Sequence, residues 1–167
     1  MRVLFVCLGN ICRSPTAEAV MRKLVDDAGL ADRTEIDSAG TGAWHVGAKP
    51  DPRATAAARK RGFELTGRAR QVTGEDFDHF DMILAMDRRN ASELLGMAPG
   101  GEGAEKVRLL REFDPASSSE WNLDVPDPYE GGEKGFSHAL DLIEAACAGL
   151  VDDLRRRESA GRRGSAG

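Results

Sequence analysis

No apolar stretch in this sequence approaches the length of a membrane-spanning helix, so membrane insertion is not expected. The five-residue apolar run after Met1-Arg2 is too short for the core of a signal peptide and has no small-residue cleavage pattern behind it, which makes the cytoplasm the expected location. Cysteine is scarce, with three in 167 residues, and in a reducing compartment these are thiols rather than a disulfide framework. Histidine is equally scarce. His45, His79 and His138 stand at no ligand spacing from cysteines or carboxylates, so no metal and no other cofactor is expected. Basic residues number 23 against 28 acidic ones, and the net charge of −5 argues against nucleic acid as a main partner. There is also no repeat of about 20 to 50 residues and no internal linker that would divide the chain. Residues 1–157 therefore read as one globular domain, expected to act as a monomer. Residues 158–167 read as a flexible basic tail carrying Arg162 and Arg163, just after Arg155, Arg156 and Arg157.

What the chain does have is alternation of strand and helix. Arg2 to Val6 is a continuous apolar strand, and Pro15 to Ala28 has helical spacing through Ala17, Val20, Met21, Leu24 and Val25. Further strands are expected at Thr34 to Ser38, Met82 to Met86 and Lys106 to Leu110. Helices are expected at Asp51 to Arg61, from about Asn90, and from about Gly135 to Arg157. Short buried strands alternating with helices predict an α/β fold: a three-layer, four-stranded parallel sheet with helices on both faces. Ligands of such sheets bind at the carboxyl ends of the strands.

Cys7 stands at such an end, followed by the loop Leu8, Gly9, Asn10, Ile11, Cys12, Arg13 and Ser14. Ser14 reads as the N-cap of the next helix and Pro15 as its first residue. The loop then aims backbone N–H groups and the positive end of a helix into one concavity, which is a nest for an anion. A sulfur placed there is favoured as a thiolate, and Arg13 supplies a planar fork for two phosphate oxygens. Gly9 and Asn10 permit the positive φ that a tight loop needs. The competing reading, that Cys7 is a core residue like most buried cysteines, leaves Arg13 unexplained. Neither G-x-x-x-x-G-K-[ST] nor G-x-G-x-x-G occurs in this stretch, which removes the other phosphate loops.

Five motifs in order, VCLGNICRSPTAEAV (Val6 to Val20), DSAGT (Asp37 to Thr41), WHVG (Trp44 to Gly47) with DPRA (Asp51 to Ala54), ARQVTGEDFDHFDMILAMDRRN (Ala69 to Asn90) and VPDPYEGG (Val125 to Gly132), resemble the low-molecular-weight protein-tyrosine phosphatases. The resemblance implies hydrolysis of phosphotyrosine in proteins, or of small phosphate esters, through a phosphocysteine on Cys7. It implies that Arg13 and the loop amides clamp the phosphoryl oxygens, with Ser14 donating to the sulfur. Asp127, between Pro126 and Pro128, becomes the general acid and then the base. Without the resemblance it reads as an ordinary Asp-Pro turn. Trp44 and Tyr129 become the walls of a slot for the aryl ring, Asp87 a residue at its entrance, and Asn10 and Ser38 braces of the loop. Cys12 is open to two compatible readings, apolar packing under the loop and a resolving thiol for an oxidised Cys7.

Two departures stand out. Glu130 occupies the place where many members have a second tyrosine, and its charge should disfavour acidic peptides. Gly67 lies two residues before Ala69 where a histidine is common, so the loop bond that a histidine would give must come from elsewhere or be missing. Two rivals are a thiol-dependent arsenate reductase and a phosphocysteine-bearing carrier. The first resembles a relay needing two more cysteines close together, whereas Cys147 alone is left, on an apolar helix stripe. The second resembles proteins that lack both the loop arginine and the Asp-Pro-Tyr segment.

Overall fold

The first strand, β1 (Arg2–Cys7), is fully buried from Val3 to Val6, so both of its faces must be covered. The computed structural model, which describes residues 1–117 and 121–164, covers it with a three-layer α/β arrangement. The other strands are β2 (Glu35–Gly40), β3 (Met82–Ala85) and β4 (Val107–Leu109). All pair in parallel in the order β2-β1-β3-β4, with Val3 opposite Ile36 on one side and Met82 on the other. Side-chain alternation along β1 then assigns the two layers. Val3, Phe5 and Cys7 join the larger core under α1 (Arg13–Asp27), α2 (Pro52–Lys60) and α6 (Gly132–Gly164). Leu4 and Val6 join the smaller one with Phe77 of α3 (Gly74–His79) and Leu94 of α4 (Arg88–Met97).

The expected fold class is the observed one, with local differences. The short helices α3 and α5 (Gly101–Glu105) span too few turns to display a helical period in sequence. β2 runs on to Gly40 rather than ending at Ser38, because its last residues pair with Val6 and Cys7. α6 starts at Gly132 and continues to Gly164, past the boundary expected after Arg157. Arg155, Arg156 and Arg157 pair with Asp152 and Asp153 about one turn earlier, so the basic run is offset within the helix. The last three residues of the expected tail, 165–167, lie outside the described ones. Among the described residues no helix is long and apolar enough to cross a membrane.

Candidate active site

β1 ends at Cys7 and α1 begins at Arg13, so the loop between them makes a tight turn at the carboxyl edge of the sheet. It is held from outside: Cys7 O and Leu8 O accept from Thr41 N and Gly42 N at 2.9 Å each, and Ile11 O accepts from Asp51 N at 2.7 Å. Asn10 takes the positive φ of 55° that the turn requires, in a region asparagine tolerates better than most residues. Gly9 does not share it; its role is space, since a Cβ there would lie 2.9 Å from His45 Cδ2.

The Asn10 amide organises the polar atoms under the loop. Its Nδ2 donates to Ser14 Oγ at 2.8 Å and Ser38 Oγ at 3.0 Å, which uses both protons and makes both hydroxyls acceptors there. Ser38 Oγ in turn donates to Glu18 Oε2 at 2.6 Å. Ser14 Oγ lies 3.0 Å from Cys7 Sγ, where either atom can donate to the other, and 3.3 Å from Ala39 O, which can only accept. This engagement is why Ser14 is not the helix cap expected of it: α1 starts two residues earlier than expected, with Cys12 at the cap position and no side-chain cap bond, and Pro15 is third in the helix. Asn10 Oδ1 accepts from the backbone N–H of Arg70 at 3.0 Å. That bond satisfies the acceptor without any histidine at position 67, where φ is +83° and glycine is unstrained.

Arg13 is the buried charge of the site, 3% exposed. Its Nη1 donates to Asp87 Oδ2 at 2.5 Å and to Val125 O at 3.0 Å, and its Nη2 lies 3.5 Å from Asp127 Oδ2. Burial works against its charge, but the Cys7 sulfur, Asp87 and Asp127 outweigh burial and raise its pKa. Asp87, expected at the slot entrance, is the ion-pair partner of Arg13 and is not among the residues that line the cleft. One oxygen accepts from Asn90 N at 2.7 Å as the cap of α4, which leaves the other for Arg13.

A cleft of about 570 Å³ opens above the loop. Its floor is the loop from Cys7 to Arg13 except Asn10, and Trp44, Asp127 and Tyr129 stand around it. Asn10, Ser14 and Ser38 lie beneath, buried. Trp44 is 74% exposed, its ring lying so close over Gly42 that a Cβ there would fall 1.8 Å from Cζ3. Asp127 is 48% exposed, and its Oδ1 accepts from Tyr129 N at 3.1 Å in the short turn that Asp-Pro favours. His45 and Arg89 also line the cleft, together with Glu130. Neither His45 nor Arg89 carries a signal in the sequence that marks it for the cleft, although each lies within two residues of Trp44 or Asp87.

The remaining cysteines differ in access. Cys12 is 6% exposed at the cleft floor. Burial first, and then the negative charges of Asp51, Cys7 and Asp127, push its thiol up to about 12. Cys147 is fully buried on α6, and burial pushes its thiol up further. It is a core residue and reaches no relay at the cleft. Among the described residues there is no group of three or more His, Cys, Asp or Glu that could hold a metal.

A thiol with a serine hydroxyl at its sulfur, a buried guanidinium beside it and an exposed carboxylate opposite make up the chemistry of a cysteine-dependent phosphatase. Residues 2–160 match the family model for low molecular weight phosphotyrosine protein phosphatases. The chain is 49% identical over 156 residues to the low molecular weight protein-tyrosine-phosphatase of Streptomyces coelicolor, covering 93% of this chain and 94% of that one. A crystal structure of a protein tyrosine phosphatase from Entamoeba histolytica, with Hepes in its active site, is similar with a TM-score of 0.88 and 41% identity, covering 95% and 99% of the two chains. The YwlE arginine phosphatase is also similar, at a TM-score of 0.82 and 28% identity over 93% and 96%. This chain belongs to the low-molecular-weight protein-tyrosine phosphatase family, whose members are cysteine-dependent hydrolases.

Proposed function

We propose that this protein removes the phosphoryl group from phosphotyrosine in proteins, and from small aryl phosphates, acting as a monomer in the cytoplasm without metal or cofactor. The observation that carries this reading is the convergence on one cleft of Cys7 Sγ, held 3.0 Å from Ser14 Oγ, with Arg13, which lies 3.5 Å from Asp127.

The reaction divides into two displacements at phosphorus. In the first, the Cys7 thiolate attacks phosphorus and the bond to the phenolic oxygen breaks, while the protonated Asp127 gives that oxygen its proton. In the second, Asp127 takes a proton from water, the resulting hydroxide attacks phosphorus, and the S–P bond breaks to release phosphate. Arg13 and the amides at the start of α1 carry the charge of the equatorial oxygens throughout. Ser14, fixed by Asn10, donates to the sulfur as it leaves. Trp44 and Tyr129 flank the aryl ring, and the slot between them is too deep for a phosphoserine to bring its phosphorus to the sulfur. Cys12 stands ready as the resolving thiol when Cys7 is oxidised.

The test is kcat/KM on matched peptides bearing phosphotyrosine, phosphoserine or phosphoarginine, with EDTA present. Strong preference for phosphotyrosine, unaffected by EDTA, is expected; comparable efficiency on either other peptide overturns the substrate assignment. Arsenate with thioredoxin should give no turnover.

A further inference from the structure

The segment Asp51-Pro52-Arg53-Ala54 takes no part in the two displacements, yet it joins the two loops that perform them. Asp51 N donates to Ile11 O in the Cys7 loop at 2.7 Å. The Asp51 carboxylate caps α2, accepting from Arg53 N at 2.7 Å, and also accepts from the Arg53 side chain, Nε at 3.2 Å and Nη2 at 3.0 Å. The remaining guanidinium nitrogen, Nη1, donates to Tyr129 O at 2.7 Å. The guanidinium carbon lies 5.0 Å from the ring centroids of both Tyr129 and Phe136, so the cation sits between two aromatic faces.

The Asp127 loop needs such a tether. Its first end is pinned, since Val125 N donates to Met86 O and Val125 O accepts from Arg13. Beyond Asp127, the bond from Tyr129 N to Asp127 and that from Gly131 N to Pro128 O lie within the loop itself. Arg53 therefore grips the loop from outside two residues past the carboxyl, with its other edge locked to a residue that is bonded to the Cys7 loop. A planar fork makes these contacts together, whereas an ammonium group presents one point of charge.

We infer that Arg53 is a positioning residue for Asp127: by holding Tyr129 to Asp51, it sets the distance between the carboxyl and the leaving-group oxygen of a phosphate bound over Cys7. The inference rests on the reading of Asp127 as the general acid. An error of about 1 Å in such a distance is enough to cost on the order of 10²-fold in rate.

The experiment measures kcat/KM for phenyl phosphate, a poor leaving group, and 2,4-dinitrophenyl phosphate, a good one, together with inhibition by inorganic phosphate. The proteins are wild type, Arg53→Gln, Arg53→Lys, Asp127→Asn and the double variant Arg53→Gln/Asp127→Asn. Arg53→Gln should lose about 10- to 100-fold on phenyl phosphate and less than about 3-fold on the dinitrophenyl ester, within the range of general acid catalysis. Arg53→Lys should fall between it and wild type; it keeps the charge and the helix preference, so it carries the test if the glutamine variant folds poorly. Inhibition by phosphate should hold within about 2-fold, because the anion nest does not involve Arg53. In the Asp127→Asn background, Arg53→Gln should change the phenyl phosphate rate by less than about 2-fold, the non-additivity of groups that act as one. Equal slowing on both esters, weakened phosphate inhibition, or multiplicative losses in the double variant would each overturn the inference while leaving Asp127 in its role. An Asp127→Asn variant that slows both esters equally would overturn the acid assignment itself, and this inference with it.

Discussion

The two loops that meet over the cleft are built in opposite ways. Under the Cys7 loop, Asn10, Arg13 and Ser14 are buried, and Asn10 alone bonds Ser14, Ser38 and the backbone of Arg70. Across the cleft, Asp127 and Tyr129 are about half exposed, and their fixed points are Val125 at one end and Arg53 at the other. The difference follows from the tasks. Donors that stabilise a developing oxyanion work best when they are fixed in advance and shielded from water, where each costs little to reorganise. A group that alternates between acid and base must exchange its proton with a leaving group and with water, so it stands where solvent reaches it.

The comparison can be broken hardest at the sulfur. Cys7→Ser should remove turnover to below detection while phosphate still binds, since the nest and Arg13 remain; isothermal titration with phosphate beside an activity assay checks both halves. A residual rate near wild type would end the thiolate mechanism. On the exposed side, Asp127→Asn should lower kcat/KM by about 10²- to 10⁴-fold on esters with poor leaving groups and far less on good ones. Equal losses on the two classes would mean that another group supplies the proton.

Smaller changes sharpen the contrast. Ser14→Ala removes one hydrogen bond to a charged sulfur, on the order of 1.5 to 3 kcal/mol, so kcat should fall roughly 10- to 100-fold with KM little changed. Burst kinetics should place that loss in the step where the sulfur leaves. For Cys12→Ser, basal activity should match wild type, and the difference should appear after peroxide. Wild type should recover with dithiothreitol and show a Cys7–Cys12 bridge by mass spectrometry, while the variant passes to the irreversible sulfinic acid. Because the Cys12 thiol is pushed up to about 12, its thiolate fraction grows about tenfold per pH unit below that value, and capture should quicken with rising pH. Equal recovery of both proteins would deny Cys12 a protective role.

The smallest effect concerns stability. Burial raises the Asp51 carboxyl pKa, but the hydrogen bonds from Arg53 outweigh it and hold the group below the ordinary carboxylate range. A group lowered in this way stabilises the fold above its unfolded pKa of about 4, and that contribution is lost as pH falls through the folded value. Asp51→Ala should therefore cost about 1 kcal/mol as a lost cap at neutral pH. The gap in thermal midpoint from wild type should narrow below about pH 4; a constant gap would mean that the carboxylate charge adds nothing.

Sequence alone determined what is local in the chain. The apolar run of β1, the stripe of Leu140, Ile143, Cys147 and Leu150 on α6, and Asp51 ahead of Pro52 as a helix start are set by side-chain period and capping chemistry over a few residues. The spacing from Cys7 to Arg13 is likewise fixed within a single loop, so the anion nest was legible there. Tertiary structure alone decided which groups complete that nest. Asp87 reads in sequence as an aspartate at a slot entrance and becomes the partner of Arg13, 74 residues away, because it caps a helix whose start faces the buried guanidinium. Val125 O reaches the same group across 112 residues. Ser14 looks like a cap and is turned inward by Asn10, whose own carbonyl oxygen accepts from the backbone N–H of Arg70. Apart from the local bond between Asn10 and Ser14, the deciding partner is brought near only by the parallel sheet, whose crossovers place distant loops along one edge. A polar atom buried there takes whichever partner the packing supplies, since leaving it unpaired would cost on the order of 1 to 3 kcal/mol.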